Sequence, residues 1–228
     1  MLIHVLTLFP DMVKEPFEHS MMKRAQENGC IDLRFVDIRD FTTDKHKNCD
    51  DRPYGGGPGM VMMIEPIYNA LQSCKTAKSK VILLSPKGEV FRQKIAKDLS
   101  QEEHLIFICG HYEGIDERVR TNLVDMELSI GDYILTNGAI ASLVVIDACV
   151  RLIPGVLGSE DSLTQESFSN DLLEYPQFTR PRSFLDHEVP DILFSGNHKE
   201  IQKYRDEQSL KKTLLNRPEL SKKIGKEK

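Results

Sequence analysis

The first 150 residues alternate between short apolar runs and segments whose apolar residues recur every three or four positions. The short runs are nearly continuous in Val, Ile and Leu, which is typical of strands covered on both faces of a parallel sheet. They fall at Ile3–Leu8, Ile31–Val36, Lys80–Ser85 and Leu105–Cys109. Strands that alternate with helical segments predict an α/β fold with a mainly parallel sheet.

Helices are predicted between and after these strands. The first spans Asp11–Asn28 and is stopped by Gly29. Pro66 suits the first turn of a second helix, and the apolar residues within 91–99 form a helical stripe. The segment Ala139–Ile153 is the most apolar, which indicates burial in the core or at a subunit interface.

The pattern changes after Gly158. Residues 159–171 are rich in Ser, Thr, Asp, Glu and Asn, which is typical of a flexible linker. In the tail, Asn197 and Glu200 have the spacing of a capping box, and Ser209 is placed to cap a final helix. The predicted parts are a main domain, a linker and a small C-terminal helical domain, at 1–158, 159–171 and 172–228.

Charge is distributed unevenly along the chain. The net charge of −5 speaks against a simple nucleic-acid-coating protein. Residues 180–228, however, hold 12 Lys or Arg and 8 Asp or Glu, whereas the other 179 residues hold 18 and 27. A basic tail on an acidic body suits contact with a polyanion, although a solubilising terminal helix explains the count equally well.

The sequence shows no sign of membrane insertion or secretion. The longest mostly apolar run, 138–150, is interrupted by Asp147 and is too short to span a bilayer. The amino terminus lacks the basic start and cleavage site of a signal peptide. The five cysteines form no C-x-x-C pair, so neither a zinc site nor a disulfide framework is indicated. We therefore expect a cytoplasmic protein.

The most informative stretch is Asp50–Met60, which reads Asp-Asp-Arg-Pro-Tyr-Gly-Gly-Gly-Pro-Gly-Met. Four glycines in five positions suit neither a helix nor a strand interior, and they let a partner approach the backbone closely. The stretch lacks the Gly-Lys-Ser/Thr ending of a P-loop, and Met60 stands where a dinucleotide fingerprint needs glycine. A floppy surface loop is the alternative, but the flanking Asp, Arg and Tyr favour a site.

Three further segments each run from an apolar strand into Gly or Pro with polar residues. They are residues 83–88, 109–114 and 129–138. Ligands of parallel sheets bind beyond the carboxyl ends of the strands. Each segment alone is more often only a tight turn, but together they predict a site lined by backbone amides and carbonyls.

Four motifs together resemble the bacterial tRNA (guanine-N1)-methyltransferase family across about residues 1–215. They are the glycine-rich stretch above, Cys-Gly-His-Tyr-Glu-Gly-Ile-Asp-Glu-Arg, Ser-Ile-Gly-Asp-Tyr and Arg-Leu-Ile-Pro-Gly-Val-Leu-Gly. The resemblance implies a SPOUT methyltransferase domain with a deep trefoil knot, a homodimer with a composite active site, and a C-terminal domain that holds tRNA. It also implies methylation of the guanosine immediately 3′ of the anticodon. Neither DNA nor a membrane is an expected partner.

In this family the three strand-end turns form the knot that binds S-adenosylmethionine, largely through backbone groups. The matching residues here are Leu84, Ser85, Pro86, Gly110, Tyr112, Glu113, Gly114, Ile130, Gly131, Tyr133, Leu135 and Gly138. The third turn departs from the family, which usually has Gly, Glu and Pro where this chain has Asn137, Ala139 and Ala141. Because Asn tolerates left-handed backbone conformations, we expect the turn to survive.

The reaction needs a base for the proton on guanine N1 and a cation for the charge that develops on O6. The resemblance assigns the cation to Arg151 and the base to a linker aspartate, for which this chain offers Asp161 and Glu166. Ungapped spacing from Arg151 forward, and from residues 175–181 backward, leads to Glu166 in both cases. We therefore predict Glu166 as the base; the alternative is that both acids are only solvated linker residues.

The resemblance implies further contacts with metal and RNA. Glu113 matches an acid linked to divalent-ion dependence and is a candidate Mg²⁺ ligand, with a structural carboxylate as the alternative. The residues expected to contact the RNA are His46, Asp50, Arg52, Tyr54, Gly59, Glu174 and Arg180. Lys and Arg residues of the tail are candidates for phosphate contacts, which would make binding salt-dependent.

Two other functions stay open. A knotted methyltransferase acting on a ribose 2′-oxygen would not need the linker carboxylate together with the glycine-rich stretch. A non-catalytic RNA-binding protein of the same fold would have lost Arg151 or every linker carboxylate, and the chain keeps both kinds of residue.

Overall fold

A computed structural model describes residues 1–157 and 166–220 of the chain. Its backbone divides into two compact units, Met1–Gly158 and Ser159–Lys228. Asp161, one of the two candidate bases, and residues 159–165 of the predicted linker lie outside the described residues.

The first unit contains seven described strands and six described α-helices, with short 3-10 turns at Glu15–Glu18 and Ile38–Phe41. The strands are β1 (Leu2–Thr7), β2 (Asp32–Asp37), β3 (Asp50–Asp51), β4 (Val61–Met62), β5 (Ser79–Val90), β6 (His104–Cys109) and β7 (Met126–Ser129). The helices are α1 (Asp11–Lys14), α2 (Ser20–Glu27), α3 (Ile64–Cys74), α4 (Gln93–Leu99), α5 (Glu117–Leu123) and α6 (Ala139–Val150).

Five of these strands form one sheet in the order β2–β1–β6–β5–β7. Every neighbouring pair in this sheet runs parallel, whereas β3 and β4 form a separate antiparallel pair. The predicted α/β fold with a mainly parallel sheet is confirmed. Strand β7 and helix α5 were not named among the predicted elements.

The sheet is buried on both faces, as its apolar strands predicted. In β6, Leu105, Phe107 and Cys109 pack into one apolar cluster, while Ile106 and Ile108 pack into the other. Side chains alternate between the faces because the strand repeat is two residues. Helices α1, α2, α4 and α6 cover the first cluster, and α3 and α5 cover the second.

Two predicted helices differ from the structure. The segment predicted as one helix over Asp11–Asn28 consists of α1, a 3-10 turn and α2. His19 is extended, and Ser20 has a φ of 51°, so the two residues interrupt the helical path. Helix α6 ends at Val150 instead of Ile153, and the chain leaves it through tight turns.

Strand β5 continues beyond its predicted end. Leu84 and Glu89 both stand opposite Leu128 of β7, so residues 85–88 protrude from the ladder. A Cβ at Gly88 would lie 2.4 Å from the backbone nitrogen of Leu128. Gly88 therefore lets the strand return to the sheet after the protrusion.

The second unit contains a small hairpin and one long helix. Its elements are β8 (Ser183–Phe184), β9 (His187–Glu188), a 3-10 turn (Asp191–Phe194) and α7 (His198–Asn216). Helix α7 begins as predicted, because the Asn197 side chain accepts the Glu200 N–H at 3.3 Å. The prediction of a separate helix capped by Ser209 is wrong. Ser209 lies inside α7, and its hydroxyl donates to the Leu173 carbonyl.

The five cysteines all lie in the described part of the chain, and none is in a disulfide. None of the helices found in residues 1–157 and 166–220 has the length and apolarity needed to cross a bilayer.

A buried histidine pair lies at the amino-terminal end of the sheet. His4 Nδ1 is 2.8 Å from His104 Nε2, and His104 Nδ1 is 2.8 Å from the Ser79 hydroxyl. The two residues are only 6% and 3% exposed. Burial, followed by repulsion from His104 and Arg34, lowers the pKa of His4 to about 4.

This pair should make the fold sensitive to acid. The unfolded chain takes up a proton on His4 near the ordinary pKa of 6.5, whereas the folded chain does so only near about 4. The contribution of neutral His4 to stability is therefore complete above pH 6.5 and is lost progressively as pH falls towards about 4. Denaturant unfolding across this range should show a steeper loss of unfolding free energy in the wild type than in His4→Gln. Equal slopes would contradict the prediction.

Candidate active site

A cleft of about 630 Å³ opens at the carboxyl-terminal edge of the parallel sheet. Its walls come from the protruding part of β5, the turn after β6 and the turn after β7, which sequence reasoning expected to meet. All twelve residues predicted to bind the cofactor line it, namely Leu84, Ser85, Pro86, Gly110, Tyr112, Glu113, Gly114, Ile130, Gly131, Tyr133, Leu135 and Gly138. The structure thus brings this set together, and its role in binding stays a prediction.

The second and third turns are joined through their backbones. The Gly138 N–H donates to the Gly110 carbonyl at 2.8 Å, and His111 pairs with Asn137 in an isolated bridge. A Cβ at Gly138 would lie 3.0 Å from Cys109 Cα and 3.1 Å from the Gly110 nitrogen. Glycine therefore suits position 138, because an added side chain would have to displace neighbouring backbone by a few tenths of an ångström.

Asn137 keeps the third turn intact by a different route from the one predicted. It is not among the residues with positive φ, so its tolerance of the left-handed region is not used. Instead, its side-chain oxygen accepts the Ala139 N–H at 2.9 Å, at the start of α6. The amide side chain thereby satisfies a free backbone donor of the helix.

The first turn is fixed by a carboxylate that sequence reasoning missed. The Ser85 hydroxyl donates to Glu127 Oε1 at 2.6 Å and accepts the Lys87 N–H at 3.0 Å. Glu127 stands two residues before Ser129, so the strand repeat places both on the same side of β7. Other charged or ionisable residues that line the cleft and were not predicted are Lys87, His111, Glu117 and Arg120.

The glycine-rich stretch, residues 50–60, borders the cleft at Glu113. The Glu113 N–H donates to the Met60 carbonyl at 3.0 Å. Gly59 has a φ of 76°, and a Cβ there would lie 2.4 Å from Glu113 Cγ. Glycine is therefore required at position 59 both by the backbone conformation and by the space available.

The predicted RNA-contacting residues of the first unit lie in two settings. Asp50 lies close to Tyr112. Burial of Tyr112 and, next, its hydrogen bond to the Asp50 carboxylate raise the pKa of the Tyr112 hydroxyl. His46, Arg52 and Tyr54 are exposed on the same segment, and Tyr54 is fully exposed. Such side chains are available to a partner.

Besides Arg52, two further arginines were predicted as site residues, one in each unit. Arg151 follows α6, where its N–H donates to the Asp147 carbonyl at 3.2 Å, and it is half-buried. Arg180 is exposed in the second unit. Neither is among the residues that line the cleft.

A second cavity, of about 180 Å³, lies within the second unit. Glu166 and Glu174, which were predicted for different roles, both line it, together with Tyr175. Helix α7 contributes the lining residues Gln202, Asp206 and Ser209. Their spacing of four and then three residues places them on one helix face, a signal that was present in the sequence.

No group of three or more His, Cys, Asp or Glu side chains in residues 1–157 and 166–220 is placed to hold a metal ion. Mg²⁺ is usually held by one or two carboxylates together with water and substrate phosphates, so Glu113 as a Mg²⁺ ligand stays a prediction.

The fold and the cleft define a class of α/β proteins that carry a small-molecule cleft beyond the carboxyl ends of a parallel sheet. A family described as tRNA (Guanine-1)-methyltransferase TrmD matches residues 1–223. The chain belongs to this family and is an enzyme. The resemblance seen in the four motifs, and with it the expectation of a tRNA (guanine-N1)-methyltransferase, is confirmed.

Individual relatives agree with the family match. The chain is 58% identical over 225 residues to the tRNA (guanine-N(1)-)-methyltransferase of Carboxydothermus hydrogenoformans, covering 99% of this chain and 89% of that protein. The protein of the same name from Dictyoglomus turgidum is 55% identical over 223 residues, with 98% and 91% covered. That from Clostridium botulinum is 56% identical over 225 residues, with 98% and 94% covered.

Replacing Gly138 with Ala should destabilise the first unit. The added methyl group would meet the Cys109 backbone at 3.0 Å, and such overpacking costs typically about 1–3 kcal/mol. Gly110→Ala is the matched control, because its Cβ would meet nothing closer than Ile115 Cγ2 at 3.7 Å. Thermal unfolding should give a lower melting temperature for Gly138→Ala than for Gly110→Ala. Equal values would rule out the close approach of the two turns.

Proposed function

We propose that this enzyme transfers a methyl group from S-adenosylmethionine to N1 of the guanosine immediately 3′ of the anticodon in tRNA. The observation that carries the proposal is the cleft formed by the three strand-end turns, together with a cavity in the second unit that both Glu166 and Glu174 line. Membership of the family over residues 1–223 supports the reaction and the RNA substrate.

The cleft suits S-adenosylmethionine in size and in chemistry. Its volume of about 630 Å³ lies within the range usual for small-molecule sites. Ile130 and Leu135 offer apolar surface to an adenine ring, and the glycine turns offer backbone groups to its polar edge. When bound, S-adenosylmethionine supplies an electrophilic methyl group on a sulfonium. We propose that the three turns follow the trefoil knot of the SPOUT class.

The target nitrogen is proposed to attack the methyl carbon directly. Cys109 immediately precedes the second turn, and burial raises the pKa of its thiol to about 12. The thiol therefore stays protonated at neutral pH and provides no covalent route at this position. Guanine N1 forms the new bond to carbon while the carbon–sulfonium bond breaks, which leaves a neutral thioether.

We assign the general base to Glu166. Guanine N1 carries a proton, and the Glu166 carboxylate accepts it as the nitrogen attacks. General base catalysis of this kind contributes about 100- to 10,000-fold to the rate. Glu174 lines the same cavity and is proposed to accept a hydrogen bond from another donor of guanine.

Arg151 is proposed to stabilise the negative charge that develops on guanine O6 as the proton leaves. Arg151 belongs to the first unit and Glu166 to the second. A homodimer, in which the cleft of one subunit works with the second unit of its partner, would combine them. The exposed residues His46, Arg52, Tyr54 and Arg180 are proposed to contact the tRNA. The cytoplasmic location and the use of Mg²⁺ stay predictions.

Transfer of labelled methyl groups tests the proposed reaction. Two tRNA transcripts, with G or with A immediately 3′ of the anticodon, are incubated with the enzyme and then digested to nucleosides. We expect 1-methylguanosine from the G transcript and no label in the A transcript. A ribose 2′-O-methyl product, or tRNA binding without any transfer, would reject the proposal in favour of one of the two alternative functions.

Glu166→Gln should lower the rate of methyl transfer by about 100-fold or more, because the amide cannot accept the N1 proton. Donor affinity, measured by calorimetry, should not change, since the cleft lies in the other unit. Asp161→Asn is the matched control and should retain activity close to that of the wild type. The opposite pattern would assign the base to Asp161.

A further inference from the structure

The segment 166–174, here called the carboxylate loop, is closed by its own hydrogen bonds. The Glu166 carbonyl accepts both the N–H and the hydroxyl of Ser169, at 3.2 and 2.6 Å. The Glu174 N–H donates to the Ser167 hydroxyl at 2.9 Å. The two carboxylate-bearing residues therefore belong to one hydrogen-bonded unit.

The carboxylate loop also contains unfavourable backbone conformations. Phe168 and Asp171 have φ values of 74° and 55°. Residues with a side chain rarely adopt this region, and they remain in it only when the surrounding structure holds them there. The Phe168 N–H donates to the Leu172 carbonyl at 2.7 Å, and this bond stabilises the loop conformation from within. A contact outside the loop is needed to hold the whole segment in place.

Helix α7 provides such a contact at Leu173 of the loop. The Leu173 N–H donates to Thr213 Oγ1 at 2.8 Å, and the Leu173 carbonyl accepts the Ser209 hydroxyl. The Thr213 hydroxyl in turn donates to the Ser209 carbonyl at 2.8 Å, and Thr213 is completely buried. Two hydroxyls one helical turn apart thus hold both polar backbone groups of Leu173, next to Glu174.

We propose that Ser209 and Thr213 are positioning residues, which hold the carboxylate loop on α7 so that Glu166 and Glu174 line one cavity before RNA binds. The proposal rests on the proposed function, in which Glu166 is the base. Without the Thr213 hydroxyl, the Leu173 N–H loses a partner at a partly buried place, so the loop must shift to find another. A displacement of about 1 Å can lower a catalytic rate on the order of 100-fold.

Thr213→Val and Thr213→Ser form a matched pair for the full-length enzyme. Valine keeps the shape and loses the hydroxyl, whereas serine keeps the hydroxyl and loses a methyl group. We expect Thr213→Val to lower kcat by about 10-fold or more, because the base is displaced, and Thr213→Ser to keep kcat within about 3-fold. The KM for the donor should stay within about 2-fold in both variants, since the cleft lies in the other unit.

Amide hydrogen exchange provides a readout independent of activity. Exchange at Leu173 and Glu174 should be faster in Thr213→Val than in the wild type, and unchanged in Thr213→Ser. Faster exchange with an unchanged kcat in Thr213→Val would overturn the proposal. An equal loss of kcat in both variants would overturn it too, because it would show a packing role of the side chain.

Ser209→Ala decides the matter if Thr213→Val fails to fold, which circular dichroism would show. This variant removes the hydrogen bond to the Leu173 carbonyl and should therefore lower kcat. An unchanged kcat would contradict the proposal. Failure of the proposed function has a different signature. In that case Glu166→Gln keeps the activity of the wild type, while the amide of Leu173 still exchanges faster in Thr213→Val than in the wild type.

Discussion

The approach of two backbone turns, at Gly138 and Gly110, is the constraint on which the cleft depends. The parallel sheet delivers the turns after β6 and β7 to the same edge, but sheet order alone leaves their separation open. The hydrogen bond of 2.8 Å between the Gly138 N–H and the Gly110 carbonyl sets it. A Cβ at position 138 would be tightly placed, 3.0 Å from the Cys109 Cα. Because the turns are joined directly, the residues of both turns that line the cleft are held at a fixed separation.

The proposed catalytic and binding groups are divided between the two units. The first unit offers the cleft formed by the three strand-end turns, which suits a small ligand. The second unit carries Glu166 and Glu174 on a loop whose conformation depends on α7. In the proposed reaction, the groups that hold the donor and the group that removes the proton are therefore carried by different units. Donor affinity and turnover can for this reason be measured apart.

Much of the fold could be predicted from sequence, because strands such as β1 and β6 are short, apolar and flanked by turn residues. Glycine and proline marked the three strand-end turns, and the resemblance to the family supplied the twelve individual positions that line the cleft. The break between α1 and α2 could not be predicted, because Ser20 carries no local signal for a positive φ. Glu127 and Thr213 were missed for a related reason. Each acts through a partner more than 30 residues away, and spacing along the chain does not report such contacts.

The proposed recognition of the donor through backbone groups has a consequence for inhibition. A compound that bonds to the amides and carbonyls around Gly110 and Gly138 would contact atoms that every amino acid shares. Point mutations change side chains, and at Gly138 even the smallest one would crowd neighbouring backbone. The usual path to drug resistance, a substitution that removes an anchoring group, is therefore largely closed at this surface.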